Sequence, residues 1–225
     1  AHLNLAANDQ RQAEEVLRQI IEIDPNQLPA YDLLGRLYMS QKRLPEAQAE
    51  FERLVARRPD SPGPRTMVAT LLHLQNKVPE AQKQYEAIVQ GPRGTAVASN
   101  NLAWLYSTSG GNLDVALTLA QSAKRALPDR AEVNDTLGWV YYKKGLYQYA
   151  QEALEVSVQK EPNNPVYLYH LGMVYASRGD RAKAGVTLDR ALALSPNFEG
   201  ADEARRTSAQ LGLQARAGTA GGARR

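Results

Sequence analysis

Small residues recur along the chain in a fixed rhythm that predicts pairs of helices. Glycine or alanine alternates at intervals of 12 and 22 residues, which add to a unit of 34, with one interval of 13 near Gly110. The members of this ladder are Ala1, Ala13, Gly35, Ala47, Ala69, Ala81, Ala103, Ala116, Gly138, Ala150, Gly172 and Ala184. Large side chains follow at helical spacing, among them Tyr38, Phe51, Tyr141 and Leu154. Because two helices approach closely only where side chains are small, the ladder marks the crossing point of each pair.

Turn and stop signals fall in phase with this ladder. Proline closes the units at Pro25, Pro59, Pro128, Pro162 and Pro196. Gly179 interrupts the apolar periodicity of the last full unit and suits the left-handed turn that follows a helix. Pro45 and Pro79 stand in the opening turns of predicted helices, where the missing N–H costs nothing. Each unit therefore predicts two amphipathic helices joined by a tight turn.

The pattern resembles the tetratricopeptide repeat, a helix–turn–helix of about 34 residues. Its consensus positions are matched by Gly35, Tyr38, Ala47, Phe51 and Pro59. The family's usual first-helix tryptophan is replaced, by Tyr31, Arg65, Ser99, Asn134 and Leu168. The resemblance implies an all-α fold, a right-handed α-solenoid (superhelix) of antiparallel helix pairs whose first helices line the concave groove.

We expect the solenoid to cover residues 1–198. Its six units are 1–27, which is truncated, 28–61, 62–95, 96–130, 131–164 and 165–198. Because Ala1 falls at a mid-helix position, we expect the chain to be a fragment of a longer protein. Residues 199–211, with Ala201, Ala204 and Leu211 on one side, predict a C-terminal helix that caps the last repeat. The segment 212–225 is rich in Gly, Ala and Arg, and predicts a disordered basic tail.

Composition narrows the classes of function. The chain has 27 Lys and Arg against 24 Asp and Glu, and the surplus of three is carried by Arg216, Arg224 and Arg225. The neutral body argues against nucleic-acid binding, which needs a basic surface. The chain has no cysteine, and no apolar run approaches the roughly 18 residues of a membrane span. Its three histidines lie far apart and no catalytic or metal-binding constellation stands out. We expect a protein that is not an enzyme and uses no cofactor or metal.

Aromatic and polar side chains gather at positions that the resemblance places in the groove. Trp104 and Trp139 both lie one residue after the small residue, in adjacent repeats. Aromatic anchors with a polar rim are typical of protein-binding hot spots. The predicted peptide-binding groove comprises Arg36, Asn100, Asn101, Trp104, Asp135, Trp139, Tyr142, Tyr169, His170 and Met173. The alternatives are that both tryptophans belong to the core, that His170 has a structural or solvated role, and that Arg36 is an ordinary surface arginine.

These observations predict a scaffold that binds a peptide or protein segment in its concave groove. The alternative is a structural spacer or self-association module within a bacterial envelope or exopolysaccharide-export assembly, and a homo-oligomer is one form that the partner can take. The family's carboxylate clamp is not expected, because Asp32, Thr66 and Asp135 stand where a lysine is wanted. Residues 100–172 resemble the C-terminal portion of bacterial repeat lipoproteins of exopolysaccharide and protein-sorting systems. That resemblance implies a bacterial parent that is periplasmic or envelope-associated.

Overall fold

The chain folds into helices connected by short turns. The computed structural model describes residues 7–92 and 94–222, and the side chains of residues 9–92 and 94–212. Twelve helices and no strand occur in the described ranges. They are α1 (Ala7–Ile23), α2 (Leu28–Ser40), α3 (Leu44–Arg57), α4 (Pro62–Leu74), α5 (Val78–Gln90), α6 (Ala96–Thr108), α7 (Leu113–Ala126), α8 (Ala131–Lys143), α9 (Tyr147–Lys160), α10 (Pro165–Ser177), α11 (Arg181–Leu194) and α12 (Ala201–Gly222). The predicted all-α class is confirmed.

Packing divides the chain into two compact units. The first unit is residues 1–102 and the second unit is residues 103–225. In the first unit, each of the helices α1 to α4 packs on the next helix of the chain. In the second unit, consecutive helices from α7 to α12 pack in the same way, and α10 also contacts α8 and α12. We call α2, α4, α6, α8 and α10 the first helices, and α3, α5, α7, α9 and α11 the second helices.

The small-residue ladder lies where the two helices of a pair touch. A Cβ atom added to Gly35 of α2 would fall 2.6 Å from Cε2 of Phe51 on α3. The same addition at Gly138 would fall 2.5 Å from Cγ of Leu154. The ladder alanines from Ala47 to Ala184 are fully buried. Steric exclusion at the crossing therefore explains why the small residues recur.

The turn inside each helix pair places one residue in left-handed backbone. Gly110, Gly145 and Gly179 have φ angles of 78°, 74° and 82°. Lys42 and Asn76 hold the corresponding turns after α2 and α4 with φ of 60° each. The turn predicted at Gly179 is confirmed, and the turns at Lys42 and Asn76 use residues for which this conformation carries a steric cost.

Three tyrosines join the first helices α2, α8 and α10 to the helix that comes directly before each of them in the chain. Each tyrosine hydroxyl is hydrogen-bonded to a polar side chain of that helix, over 2.8 to 3.3 Å. The pairs are Tyr38 with Arg18, Tyr141 with Gln121 and Tyr175 with Glu155. Burial, followed by the bond to Glu155, raises the pKa of Tyr175 to about 12. The recurring tyrosine thus combines apolar packing with a specific bond between repeats.

The C-terminal helix differs from the sequence prediction in its length. Ala201 and Ala204 are buried, and Leu211 packs partly buried against the core. However, α12 extends to Gly222 in the structure, beyond the predicted end at Leu211, and the disordered basic tail of residues 212–225 stays a prediction. Alanine, glutamine and arginine are strong helix formers, and no proline interrupts them. The predicted tail residues 223–225 and the first six residues lie outside the described ranges.

Candidate functional site

Trp139 of α8 lies in the core of the second unit. The residue is 5% exposed, and its ring stacks on His170 of α10 with 4.1 Å between the ring centroids. Tyr142, one turn along α8, stacks on the same indole at 4.7 Å. The Lys143 ammonium lies 4.9 Å from the indole centroid, within cation–π range. The sequence leaves open whether Trp139 lines the groove or belongs to the core, and its side chain is buried in the core.

His170 and Asp135 form a buried pair beside this stack. Nδ1–H of His170 donates to Oδ1 of Asp135 over 2.8 Å, and the two side chains are 2% and 6% exposed. The Trp104 ring lies 5.5 Å from the imidazole centroid. Because a buried polar group without a partner costs stability, Asp135 fixes the position of the imidazole between the two indoles. His170 is therefore buried and paired inside the second unit.

Trp104 and Tyr142 keep accessible surface at the margin of this cluster. Trp104 of α6 and Tyr142 of α8 are both half-buried and pack against the buried group that contains Trp139. Burial raises the pKa of Tyr142, and a hydrogen bond with Ser177 acts in the opposite direction. Among the predicted site residues of the second unit, Trp104 and Tyr142 are the two whose side chains are accessible to a partner.

Tyr169 and Met173 connect the cluster to α12. Both are buried with Trp139 in one apolar cluster. The Tyr169 hydroxyl donates to Oε2 of Glu203 on α12 over 2.6 Å, and its ring lies 5.8 Å from that of Phe198. Burial, followed by the bond to Glu203, raises the pKa of Tyr169. These side chains attach the C-terminal helix to α10.

Asn100 and Asn101 belong to the first unit. Nδ2 of Asn101 donates to the Tyr85 hydroxyl over 3.1 Å, and that hydroxyl is 2.9 Å from the Thr70 hydroxyl. Burial raises the pKa of Tyr85, and the bonds to Thr70 and Asn101 act against this. Asn100 is buried, and its Oδ1 has no hydrogen-bond partner among the described side chains and backbone. Asn101 is therefore hydrogen-bonded within the first unit, whereas Oδ1 of Asn100 is a buried acceptor.

Arg36 lies on the exposed side of α2, one of the first helices, and we call the exposed sides of these helices the first-helix surface. Its Nε donates to Oδ2 of Asp32 over 2.8 Å, and its side chain is 62% exposed. This pair raises the pKa of Arg36. Arg36 borders a cleft of about 290 Å³. The lining residues are Asp32, Arg36, Gly63, Pro64, Thr66, Met67, Thr95 and Val97.

The predicted site residues thus fall into two separate groups. The structure brings Trp104, Asp135, Trp139, Tyr142, Tyr169, His170 and Met173 together in the second unit. Arg36, Asn100 and Asn101 lie in the first unit. The predicted set omits the cleft residues Pro64, Thr95 and Val97. No signal in the sequence marks Val97, because an apolar residue in the first turn of α8, Val133, is buried.

No cluster of metal-ligating side chains occurs in the described ranges. Residues 9–92 and 94–212 contain no group of three His, Asp or Glu side chains placed to hold a metal ion. None of the helices in the described part of the chain combines the length and apolar character needed to cross a bilayer.

Several solved structures have a fold similar to that of this chain. A chain of the APC/C hetero-tetramer Cut9–Hcn1 matches with a TM-score of 0.76 and 17% identity. The match covers 92% of the present chain and 40% of the chain in that complex. TTC0263, a thermophilic TPR protein of Thermus thermophilus, matches with a TM-score of 0.63 and 21% identity, covering 83% and 99% of the two chains. YrrB, described as a TPR protein with an unusual peptide-binding site, matches with a TM-score of 0.59 and 18% identity, covering 86% and 99%. These likenesses confirm the predicted α-solenoid fold.

Sequence comparison identifies the family. Models described as tetratricopeptide repeat match residues 4–71 and 136–197, which together make up more than half of the chain. No curated protein matches the sequence significantly. Proteins with this fold are generally scaffolds for protein–protein interaction and are typically not catalysts. The chain belongs to the tetratricopeptide repeat family.

Proposed function

We propose that this chain is a non-enzymatic scaffold that binds a peptide or protein segment on its first-helix surface, with Trp104 and Tyr142 as aromatic anchors. The observation that carries this proposal is that both rings are half-buried against the apolar cluster that contains Trp139. A partly exposed aromatic ring that is already fixed in place loses little conformational freedom on binding. Tryptophan and tyrosine are also the residue types most enriched in binding hot spots.

Trp139, His170 and Asp135 support these anchors from below the surface. The Trp139 indole stacks on Tyr142, and the imidazole of His170 lies between the two tryptophans. The hydrogen bond from His170 to Asp135 fixes the orientation of the imidazole ring. In this proposal the buried residues position Trp104 and Tyr142 and do not contact the partner.

A selection from a random peptide library tests the proposal. Peptides enriched on the wild-type protein are titrated against Trp104→Ala, Tyr142→Ala and the control Tyr149→Ala, which removes an exposed ring of second helix α9. We expect Trp104→Ala to weaken binding by about 2 kcal/mol, roughly thirtyfold in Kd, and the control to have no effect. The proposal fails if no peptide is enriched, or if the enriched peptides are insensitive to both groove substitutions.

Self-association is the second candidate, and exposed apolar residues on second helices of the second unit favour it. Val186 of α11 is 73% exposed, and Val115 of α7 and Tyr149 of α9 are also exposed. Sedimentation analysis over a wide concentration range tests this candidate. A dimer that Val186→Glu dissociates would support self-association, whereas a monomer at all concentrations would exclude it.

A further inference from the structure

The turns inside the helix pairs of the second unit lie next to one another. Lys144, directly after α8, forms an ion pair with Asp114 in the first turn of α7. Tyr142, near the end of α8, is hydrogen-bonded to Ser177, the last residue of α10. These contacts connect the turn between α8 and α9 to the turns on either side of it. We call residues 108–115, 143–149 and 177–183 the turn edge.

Positive charge is concentrated on the turn edge. Residues 103–212 of the second unit carry twelve basic and twelve acidic side chains, so this part of the chain has no net charge. The turn edge holds five of the basic side chains and two of the acidic ones. The five are Lys143, Lys144, Arg178, Arg181 and Lys183, and the two are Asp114 and Asp180. The unit therefore has a positive edge, and the surplus of negative charge lies on the rest of its surface.

Two arginines of the turn edge have no acidic partner among the described residues. Both carboxylates of the edge are already paired within it, that of Asp114 with Lys144 and that of Asp180 with Lys183. Arg178 and Arg181 are exposed and form no ion pair in the part of the chain that the structure describes. Arginine binds phosphate and carboxylate groups through its fork of N–H donors. These two guanidiniums are therefore available to an anionic group outside the chain.

Apolar side chains protrude between these charges, from the turn that joins α8 to α9. Leu146 and Tyr147 are 37% and 36% exposed, and Tyr149 is 57% exposed. Three of the other helix pairs have charged residues at the corresponding repeat positions. Arg43, Lys77 and Asp180 correspond to Leu146, and Glu46, Glu80 and Lys183 correspond to Tyr149. This turn therefore exposes apolar surface where the chain elsewhere has charge.

The combination of these residue types matches the surface of a bilayer with anionic lipids. Tyrosine is enriched at the level of the lipid headgroups, where its ring meets the apolar layer while its hydroxyl stays hydrated. Each Lys or Arg close to an anionic membrane strengthens the attraction by about fivefold. The turn also protrudes, since a Cβ atom added to Gly145 would meet nothing within 4 Å apart from its chain neighbours. A protruding turn can meet a flat surface without a cleft.

We propose that the turn edge of the second unit binds the surface of a membrane that contains anionic lipids. Leu146, Tyr147 and Tyr149 enter the headgroup layer, and Arg178 and Arg181 bind the lipid phosphates. The negative remainder of the unit faces away from the membrane. This attachment needs no peptide and does not depend on the proposed function.

Co-sedimentation of the full chain with vesicles tests the inference. One set of vesicles contains equal amounts of phosphatidylglycerol and phosphatidylcholine, and the other set contains phosphatidylcholine alone. We expect the protein to sediment with the first set and not with the second. Binding should weaken as added salt screens the charges. Soluble polyglutamate is tested in parallel, because it represents an acidic protein partner.

Charge variants compare the turn edge with the rest of the unit. Arg178→Gln and Arg181→Gln should each weaken binding to the anionic vesicles by about fivefold. The control Arg125→Gln removes an exposed arginine at the other end of α7 and should have no effect. Circular dichroism checks that each variant keeps the fold.

Apolar variants test whether side chains enter the headgroup layer. Leu146→Gln and Tyr149→Ala should each weaken vesicle binding several-fold, because each removes exposed apolar surface from the turn. The control Leu194→Gln removes an exposed leucine at the end of α11 and should have no effect. Tyr149→Ala should leave the affinity for library-selected peptides unchanged, so the two proposals fail separately.

Several results would overturn the inference. Absence of binding to the anionic vesicles, or equal binding to both sets, would exclude recognition of an anionic surface. Binding that depends on Arg224 and Arg225 but not on Arg178 and Arg181 would assign it to the last residues of the chain. Polyglutamate that binds through Arg178 and Arg181 while the vesicles do not would assign the turn edge to an acidic protein.

Discussion

His170 of α10 donates a hydrogen bond to Asp135 of α8 over 2.8 Å, and both side chains are almost fully buried. This bond joins two successive first helices at the point where the imidazole stacks on Trp139. The pair explains why polar residues stand in the middle of an aromatic cluster.

Removal of the Asp135 carboxylate should destabilise the second unit. Asp135→Ala leaves the buried Nδ1–H of His170 without an acceptor, which costs roughly 1–3 kcal/mol. Asp135→Asn retains an oxygen that can accept the bond and should cost less. Urea unfolding followed by tryptophan fluorescence measures both changes. Equal stability of the Ala variant and the wild type would show that the bond contributes nothing.

Alanine substitutions at two glycines of the last helix pair should change the free energy of unfolding in opposite directions. A Cβ at Gly172 of α10 would fall 2.7 Å from Leu188, so Gly172→Ala should cost about 1–3 kcal/mol by overpacking. At Gly185 of α11 the added Cβ would meet no atom of the described residues within 4 Å, apart from its chain neighbours and the backbone of its own helix. Gly185→Ala should therefore stabilise the helix by about 0.5–1 kcal/mol. Thermal unfolding of the two variants provides the comparison, and a loss of stability at both positions would contradict the crossing geometry.

Replacing Lys42 or Asn76 by glycine in its left-handed turn should stabilise the fold. Both residues have φ of 60°, where a side chain costs energy that glycine avoids. We expect Lys42→Gly to raise the free energy of unfolding by up to about 1 kcal/mol, since the residue is exposed. The reverse change, Gly145→Lys at φ of 74°, should lower it by a similar amount. Chemical denaturation measures both, and a destabilised Lys42→Gly variant would contradict this explanation.

Glu14 should make the first unit sensitive to acid. Burial tends to raise the pKa of this carboxyl, but hydrogen bonds from Arg43, Tyr38 and Arg18 outweigh it and hold the pKa below its ordinary value. A pKa lowered by folding contributes stability above the pKa of the unfolded chain, and that stability is lost as the pH falls through the folded value. Glu14→Gln should therefore lose less stability than the wild type as the pH falls from neutral through the acidic range. Parallel pH profiles of the two proteins would rule out this role.

The helix pairs could be predicted from the sequence because their cause is local and repeated. The small residue at Gly35 or Gly138 and the large residue 16 positions later, Phe51 or Leu154, meet at a crossing that any 34-residue unit must build. Helical periodicity also indicates which face of each helix meets its own partner.

The candidate site could be predicted only in part, because it depends on packing between repeats. Nothing in the spacing of Trp139 indicates that His170, 31 residues later, covers its ring. The full length of α12 could not be predicted, because the glycines of its last turns favour disorder whereas the alanines around them favour helix. The resemblance of residues 100–172 to bacterial lipoproteins stays a prediction.

The most direct measurement of the central proposal compares Trp104→Ala with Trp139→Ala in both stability and peptide affinity. Trp104→Ala should abolish most binding of a library-selected peptide while circular dichroism shows the fold retained. Trp139→Ala should instead lose about 3–5 kcal/mol of stability, because it empties a packed core site. If Trp104→Ala remains folded and binds the peptide with wild-type affinity, the first-helix surface around Trp104 is not the binding site.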